Sequence, residues 1–378
     1  MAKAMNNIPV GIQGAAMRGV FALPAPVRRR IAGRPVRIDG NELALDAQLL
    51  LRLTKATELK LSDGSVADAR RNVEQMSPVV GGRPIEPVRA TQLRIPVAGG
   101  DIPARLYTPA GLPAGSPLLV YYHGGGFSIG SIDSHDNLCR FLAREAGLRV
   151  LSAGYRLAPE APFPTAPADA LAAFEYAAEH AAELGADPAA IAVGGDSAGG
   201  NLAAVTSYQA LRNGGPRPAF QLLYYPATDA SRRYRSQDLF ADGFFLTDED
   251  IQWFNGNYFP DREMERDPLG SPLLADDLRG MPPTYLSTAG FDPLRDEGEA
   301  YAAKLREAGV PVVAHRIGDL IHGYVSLIGV GRRFREAVAE SAGVLRAGLA
   351  LRADGRDLFG APANAKTGKA HGNPAQPN

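Results

Sequence analysis

The sequence predicts an α/β fold built on a mostly parallel sheet with helices on both faces, and two observations carry it. From Thr91 onward, short apolar runs alternate with stretches of helical periodicity, the texture of a parallel sheet covered on both sides. Within that series the apolar run 190–193 passes through Gly194-Gly195-Asp196-Ser197-Ala198-Gly199-Gly200-Asn201 into a helical pattern closed by Asn213-Gly214-Gly215-Pro216. A serine therefore stands on a strand-to-helix turn. The chain has 378 residues, 45% hydrophobic and 21% charged, enough to bury a large core and ordinary for a globular enzyme.

Composition narrows the class further. A formal net charge of −1 gives no reason to expect a nucleic-acid partner, and Arg28-Arg29-Arg30 is too short a run to argue for one. Cys139 is the single cysteine, so an internal disulfide and a multi-cysteine metal site are both out. No apolar run approaches the ~20 residues of a membrane span, and Pro9, Gln13 and Arg18 interrupt any signal-peptide core. The expectation is a cytoplasmic protein with no integral membrane segment.

Taken in order, residues 1–90 read as an N-terminal helical cap segment. Leu45, Leu49 and Leu53 make one apolar stripe through 41–57. Ser65 and Asp68 form a capping box opening a second helix, whose stripe is Val66, Ala69, Val73 and Met76. Pro78, Gly81, Gly82, Pro84 and Pro87 then stop the helix. The expected catalytic domain spans 91–355. Runs 93–97 and 102–107 flank Gly99-Gly100-Asp101 as a hairpin. Strands follow at 118–122, 149–153, 190–193, 220–225, 284–288 and 312–317. Helices fall at 134–146, 165–184, from Ala198 to about 213, 297–308 and 324–351. Residues 227–283 lack a strand and carry Phe244, Phe245, Trp253 and Phe254, which suits a cap insertion closing over the site. The tail 361–378, without an apolar stripe, reads as disordered.

The serine fixes the chemistry. Gly195 and Gly199 stand two residues either side of Ser197, the Gly-x-Ser-x-Gly pattern of a nucleophile elbow. A sharp turn leaves no room for Cβ atoms there, and the following helix N-terminus offers unpaired N–H groups. A phosphate loop fails, because Gly200-Asn201 replaces Lys-Ser/Thr. A serine nucleophile needs a base, and the base an orienting acid. Of six histidines, His123, His135 and His180 precede the elbow, His371 lies in the tail, and His315 sits within a strand. His322, just beyond that strand, is the base. Asp292 follows the 284–288 strand and is the favoured acid over Asp296, which resembles a helix N-cap, and Asp319, a turn residue. The charge developing on a substrate carbonyl calls for N–H donors from Ala198 and from His123-Gly124-Gly125-Gly126. Gly124-x-Gly126-x-x-Ile129 fails the dinucleotide fingerprint at its third glycine.

Together His123-Gly-Gly-Gly126-Phe127, Tyr155-Arg-Leu-Ala-Pro-Glu160, Gly195-Asp-Ser-Ala-Gly-Gly200, Asp292-Pro-Leu-Arg-Asp-Glu297-Gly298 and His322-Gly323 resemble the bacterial hormone-sensitive-lipase family of esterases, over roughly residues 91–350. The resemblance implies an α/β-hydrolase fold with a helical cap and hydrolysis of carboxylic esters without cofactor or metal. It implies Ser197, Asp292 and His322 as catalytic residues and Gly125, Gly126 and Ala198 as the oxyanion hole. It gives His123 and Glu160 as structural support, with Glu160 behind the nucleophile turn. Tyr324 stands where the family usually has Phe, and Ala161 where His is common, which puts the pocket wall near Tyr324 in question. The expected partner is a small, fairly apolar ester. An amidase, an acyltransferase or a non-catalytic binder on the same fold stays open, as does a homodimer.

Overall fold

The computed structural model describes residues 9–55, 61–62 and 64–353. The expected tail 361–378 lies outside them. Two helices, α1 (Val10–Phe21) and α2 (Ala25–Ala32), lead into a short ribbon, β1 (Arg37–Ile38) and β2 (Asn41–Glu42). Helices α3 (Leu45–Lys55) and α4 (Val66–Gly81) follow. The Ser65 hydroxyl accepts from the Asp68 N–H while Asp68 accepts from the Ser65 N–H, so the capping box forms. Pro78 does not end α4 as the sequence suggests. It sits inside the helix, Ser77 Oγ donates to the Val73 carbonyl, and the stop falls at Gly82 with φ +88°. Only a residue tolerant of positive φ ends the turn there.

The sheet is entered by the hairpin β3 (Val88–Val97) and β4 (Gly100–Pro109), with β5 (Ser116–Tyr122) next. Helix α5 (Asp136–Ala146) leads to β6 (Arg149–Ala153), and α6 (Thr165–Glu179) leads to β7 (Ala186–Asp196). Helix α7 (Ala198–Asn213) leads to β8 (Gln221–Tyr224). After α8 (Arg235–Leu239) and α9 (Asp248–Tyr258) come β9 (Thr284–Phe291), α10 (Arg295–Glu307), β10 (Val312–Ile321) and α11 (Arg332–Ala353). The eight strands order as β10-β9-β8-β7-β5-β6-β4-β3. Every neighbour pair is parallel except β3–β4 and β4–β6.

All of β9 and nearly all of β5 are buried, because helices cover both faces. Leu138 and Leu142 of α5 pack on one face with Phe334 and Leu345 of α11. Ala170 and Phe174 of α6, Leu202 of α7 and Leu305 of α10 pack on the other. A third, smaller cluster joins Ala69 of α4 to Ile251 and Phe254 of α9 over Ile129 and Leu294. It ties the N-terminal helices and the strandless insertion to the carboxyl ends of the strands. Boundaries shift where capping decides them. The 165–184 helix ends at Glu179, where the His180 ring stacks on Tyr176. The last helix starts at Arg332, with Tyr324–Leu327 as a separate 3-10 turn.

Candidate active site

Three strand ends converge. Ser197 closes β7 and caps α7 with φ +55° and ψ −117°, a conformation few side chains adopt and one that marks functional strain. The flanking glycines are forced by contact. A Cβ on Gly195 would lie 2.3 Å from the Gly199 backbone, and one on Gly199 would lie 2.0 Å from the Tyr122 carbonyl. His322 stands one residue beyond β10, and its Nε2 is 3.0 Å from Ser197 Oγ. Its Nδ1 is 2.8 Å from Asp292 Oδ2. Asp292 follows β9 and is fully buried, and its Oδ1 accepts from the Leu294 N–H at 2.8 Å.

The loop after β5 faces this trio. Gly125 and Gly126 carry φ +119° and +55°. A Cβ on Gly125 would strike the Ile129 carbonyl at 2.2 Å, and one on Gly126 would strike the Phe254 ring at 2.2 Å. Among the described residues, the N–H groups of Gly125 and Gly126 donate to no protein acceptor. Ala198 is the first residue of α7, where N–H groups have no intrahelical partner. All three line the cavity that holds Ser197 and His322.

Known proteins are similar to this chain in sequence and fold. Residues 119–326 match the family model described as alpha/beta hydrolase fold. Over 337 residues the chain is 47% identical to the carboxylic ester hydrolase LipN of Mycobacterium tuberculosis, covering 86% of this chain and 89% of that protein. The chain belongs to the α/β-hydrolase family. Within it, the bacterial hormone-sensitive-lipase esterases expected from the motifs are its relatives. The ethyl acetate hydrolase of Pseudomonas putida is 39% identical over 267 residues, covering 69% of this chain and 83% of that one. An ester hydrolase from the metagenome of Lake Arreo, solved with a bipyridine phosphonate derivative, superposes with a TM-score of 0.77 at 41% identity, covering 81% of this chain and 98% of that one. A thermostable esterase of Pseudomonas putida superposes at 0.79 with 34% identity, covering 83% and 99%.

In this α/β hydrolase the competing acids are spoken for. Asp319 pairs with Arg333 at 2.7 Å. Asp296 lies in the first turn of α10 rather than at its N-cap, which is Leu294, and accepts from the Ser236 N–H and Arg295. His315 is half-exposed beside Glu340. His123 is buried outside the cavity wall; its ring stacks on Tyr155 at 4.4 Å, and its Nδ1–H donates to the Gly124 carbonyl. Burial, helped by the nearby His135 charge, lowers its pKa to about 4, so it supports the loop as a neutral ring.

Glu160 corrects an expectation. It is not behind the nucleophile turn: its side chain is 65% exposed and makes a bidentate pair with Arg70 of α4. Arg70 also donates to the carbonyls of Ser128 and Ala158, so the Glu160–Arg70 pair braces the loop after β5 from outside. The buried carboxylate at the nucleophile turn is Asp196. Its carboxylate accepts from Tyr121 Oη at 2.7 Å and from the Gly124 N–H at 3.1 Å, and lies 3.2 Å from His135 Nε2. Burial alone would raise the Asp196 pKa, but the His135 charge and these hydrogen bonds outweigh it and hold the group below the usual range. His135 shows the mirror image: burial depresses it, and Asp196 more than restores it, so it is raised.

Tyr324 also departs from expectation. It does not line the cavity that holds Ser197 but is buried, its hydroxyl 2.8 Å from Ser287 Oγ and its ring edge-on to Tyr225. Tyr225 in turn stands 4.5 Å from the His322 ring. Sequence reasoning also missed Arg70 and left Glu297 without a role. Glu297 is buried, and its Oε1 accepts from the N–H groups of Thr228 and Asp229. Burial pushes its pKa up to about 8 against those two bonds. Chain order excludes His135 as the base, and no local pattern in the sequence announces its pairing with Asp196, 61 residues away.

The cavity measures about 1250 Å³, above the ~300–1,000 Å³ usual for ligand sites. Leu51, Val73 and Met76 of the N-terminal helices and Phe244, Leu246 and Phe254 of the insertion line it together with Ser197. Among the described residues, no helix is long and apolar enough to cross a membrane.

Proposed function

We propose that this chain is a carboxylesterase that hydrolyses esters of small, fairly apolar acids through an acyl-enzyme on Ser197. The observation that carries the reading is the aligned chain from Ser197 Oγ through His322 to Asp292, at 3.0 and 2.8 Å. His322 Nε2 takes the serine proton as Oγ attacks the ester carbonyl. Asp292 holds the Nδ1–H and steadies the imidazolium that forms. The new oxyanion takes the free N–H groups of Gly125, Gly126 and Ala198. Collapse breaks the ester C–O bond, and the alcohol leaves with the proton from His322. Water, deprotonated by the same nitrogen, then attacks the acyl-enzyme and restores Ser197. Three side chains and three N–H groups supply every step, so the cycle calls on no cofactor.

Residues 1–90 and 227–283 act in this reading as the cap, which supplies the acyl wall and sheds water from the site. The names of the relatives support ester over amide cleavage, since LipN and the Pseudomonas putida protein are called ester hydrolases. A non-catalytic binder would have no use for a base aligned on a strained serine. A cytoplasmic setting belongs to the proposal as well. It rests on a single cysteine, Cys139, buried with its thiol pKa pushed up by that burial.

The test is a series of chromogenic esters of rising acyl length, run on the wild type and on Ser197→Ala. The wild type should turn over the short and medium esters, and Ser197→Ala should lose on the order of 10⁴-fold or more in kcat. Activity of the variant within about tenfold of the wild type would remove Ser197 from its role.

A further inference from the structure

The first two helices leave apolar surface uncovered. In α1 the only polar side chains are Gln13 and Arg18. Gly14 and Phe21 are buried, and Met17 packs beside them against the core. On the opposite side Ile12, Ala15, Ala16, Gly19 and Leu23 follow one another at helical spacing, all exposed. Val27 and Ile31 continue this surface one turn apart on α2. Ile12 is 60% exposed, and every exposed large apolar side chain among the described residues lies here except Met264. A helix that is apolar all round normally has a second covering.

Charge says what kind. Every charged residue among the first 38 is basic, the first acid being Asp39, although the chain as a whole is at −1. Arg28 and Arg29 are tied to Asp46 and Gln48. Arg30 and Arg34 are exposed and make no ion pair among the described residues. An apolar face flanked by free guanidinium groups is complementary to a surface that is apolar inside and anionic outside. A second copy of the chain fits badly, because a two-fold contact would set the same positive charges against each other. The surface also reaches the site. Ala32, next to Ile31, and Val36 line the cavity that holds Ser197.

We infer that α1 and α2 form a docking surface for an anionic lipid bilayer, placing the cap where apolar esters partition. The inference is independent of the esterase reading, since binding is read without turnover. The full chain is mixed with phosphatidylcholine vesicles, with or without about 30 mol% phosphatidylglycerol, and the bound fraction is measured by flotation. Binding should require the anionic lipid and should weaken at least about tenfold when salt is raised to about 0.5 M. The triple variant Ile12→Ser, Val27→Ser, Ile31→Ser and the pair Arg30→Gln, Arg34→Gln should each lose binding about tenfold or more. Both should keep the wild-type circular dichroism spectrum and unfolding midpoint, which shows that they are folded. Equal binding to neutral and anionic vesicles, or none to either, would overturn the inference. So would light scattering that shows a dimer abolished by the triple variant, which would assign the face to a second copy.

Discussion

At the scale of single residues, Ser197, His322 and Asp292 are each held by a hydrogen-bonded partner. Asp292 reaches His322, whereas Asp296 and Asp319 are occupied by Arg295 and Arg333. Asp292→Asn should therefore lower kcat by several powers of ten through the wrong imidazole tautomer. Asp319→Asn should change it by less than about tenfold. Steady-state kinetics on the two variants decides this, and a crippled Asp319→Asn would reassign the acid. Beside the serine, the buried His135–Asp196 pair makes a second prediction. A buried pair that loses one partner leaves an uncompensated charge, so His135→Gln should destabilise the fold by about 3 kcal/mol. His135 is raised from its ordinary ~6.5, so its contribution is complete below that pH and fades as pH rises through the raised value. Asp196 is lowered, so its contribution fades only as pH falls below ~3.9. Urea unfolding should thus show the widest gap between wild type and variant near pH 5–6, narrowing toward pH 9. A gap that widens with rising pH would contradict the pairing.

At the scale of elements, most of the frame could be read from the chain, and the misses have physical causes. Fully buried parallel strands such as β5 and β9 announce themselves as apolar runs, and Gly195 and Gly199 are dictated by contacts under 2.5 Å. The alignment of Ser197, His322 and Asp292 is legible because chain order and strand ends leave one histidine and few acids. Helix ends were less so: Pro78 reads as a stop, yet it continues α4, because tertiary packing outweighs the lost N–H. Glu160 and Arg70 lie 90 residues apart, and no local pattern announces an ion pair between a cap helix and a loop. That pair makes its own prediction. Arg70→Ala should raise KM for esters severalfold by loosening the loop that presents Gly125 and Gly126, while the unfolding free energy changes by about 1 kcal/mol or less, as for an exposed pair. An unchanged KM would limit Arg70 to surface packing.

At the scale of the whole molecule, the mostly parallel sheet brings Ser197, Asp292 and His322 together at its strand ends, and two separate stretches of chain line the cavity around them. Residues of α3 and α4 and of the insertion both line the cavity, so bulk placed on either should cut the longest acyl chains first. Met76→Trp, filling empty space rather than packed core, should lower kcat/KM for a long-chain ester at least about tenfold. Acetate turnover should stay within about threefold. A flat response across acyl lengths would move the acyl chain to another part of the cavity. The central claim is that Ser197 itself becomes acylated, and intact-mass spectrometry after treatment with a p-nitrophenyl phosphonate ester tests it most directly. The account predicts a single phosphonyl adduct, mapped by peptide digestion to Ser197, that grows in step with the loss of esterase activity and is absent from Ser197→Ala. An adduct on any other residue, or full activity remaining once Ser197 is modified, would contradict it.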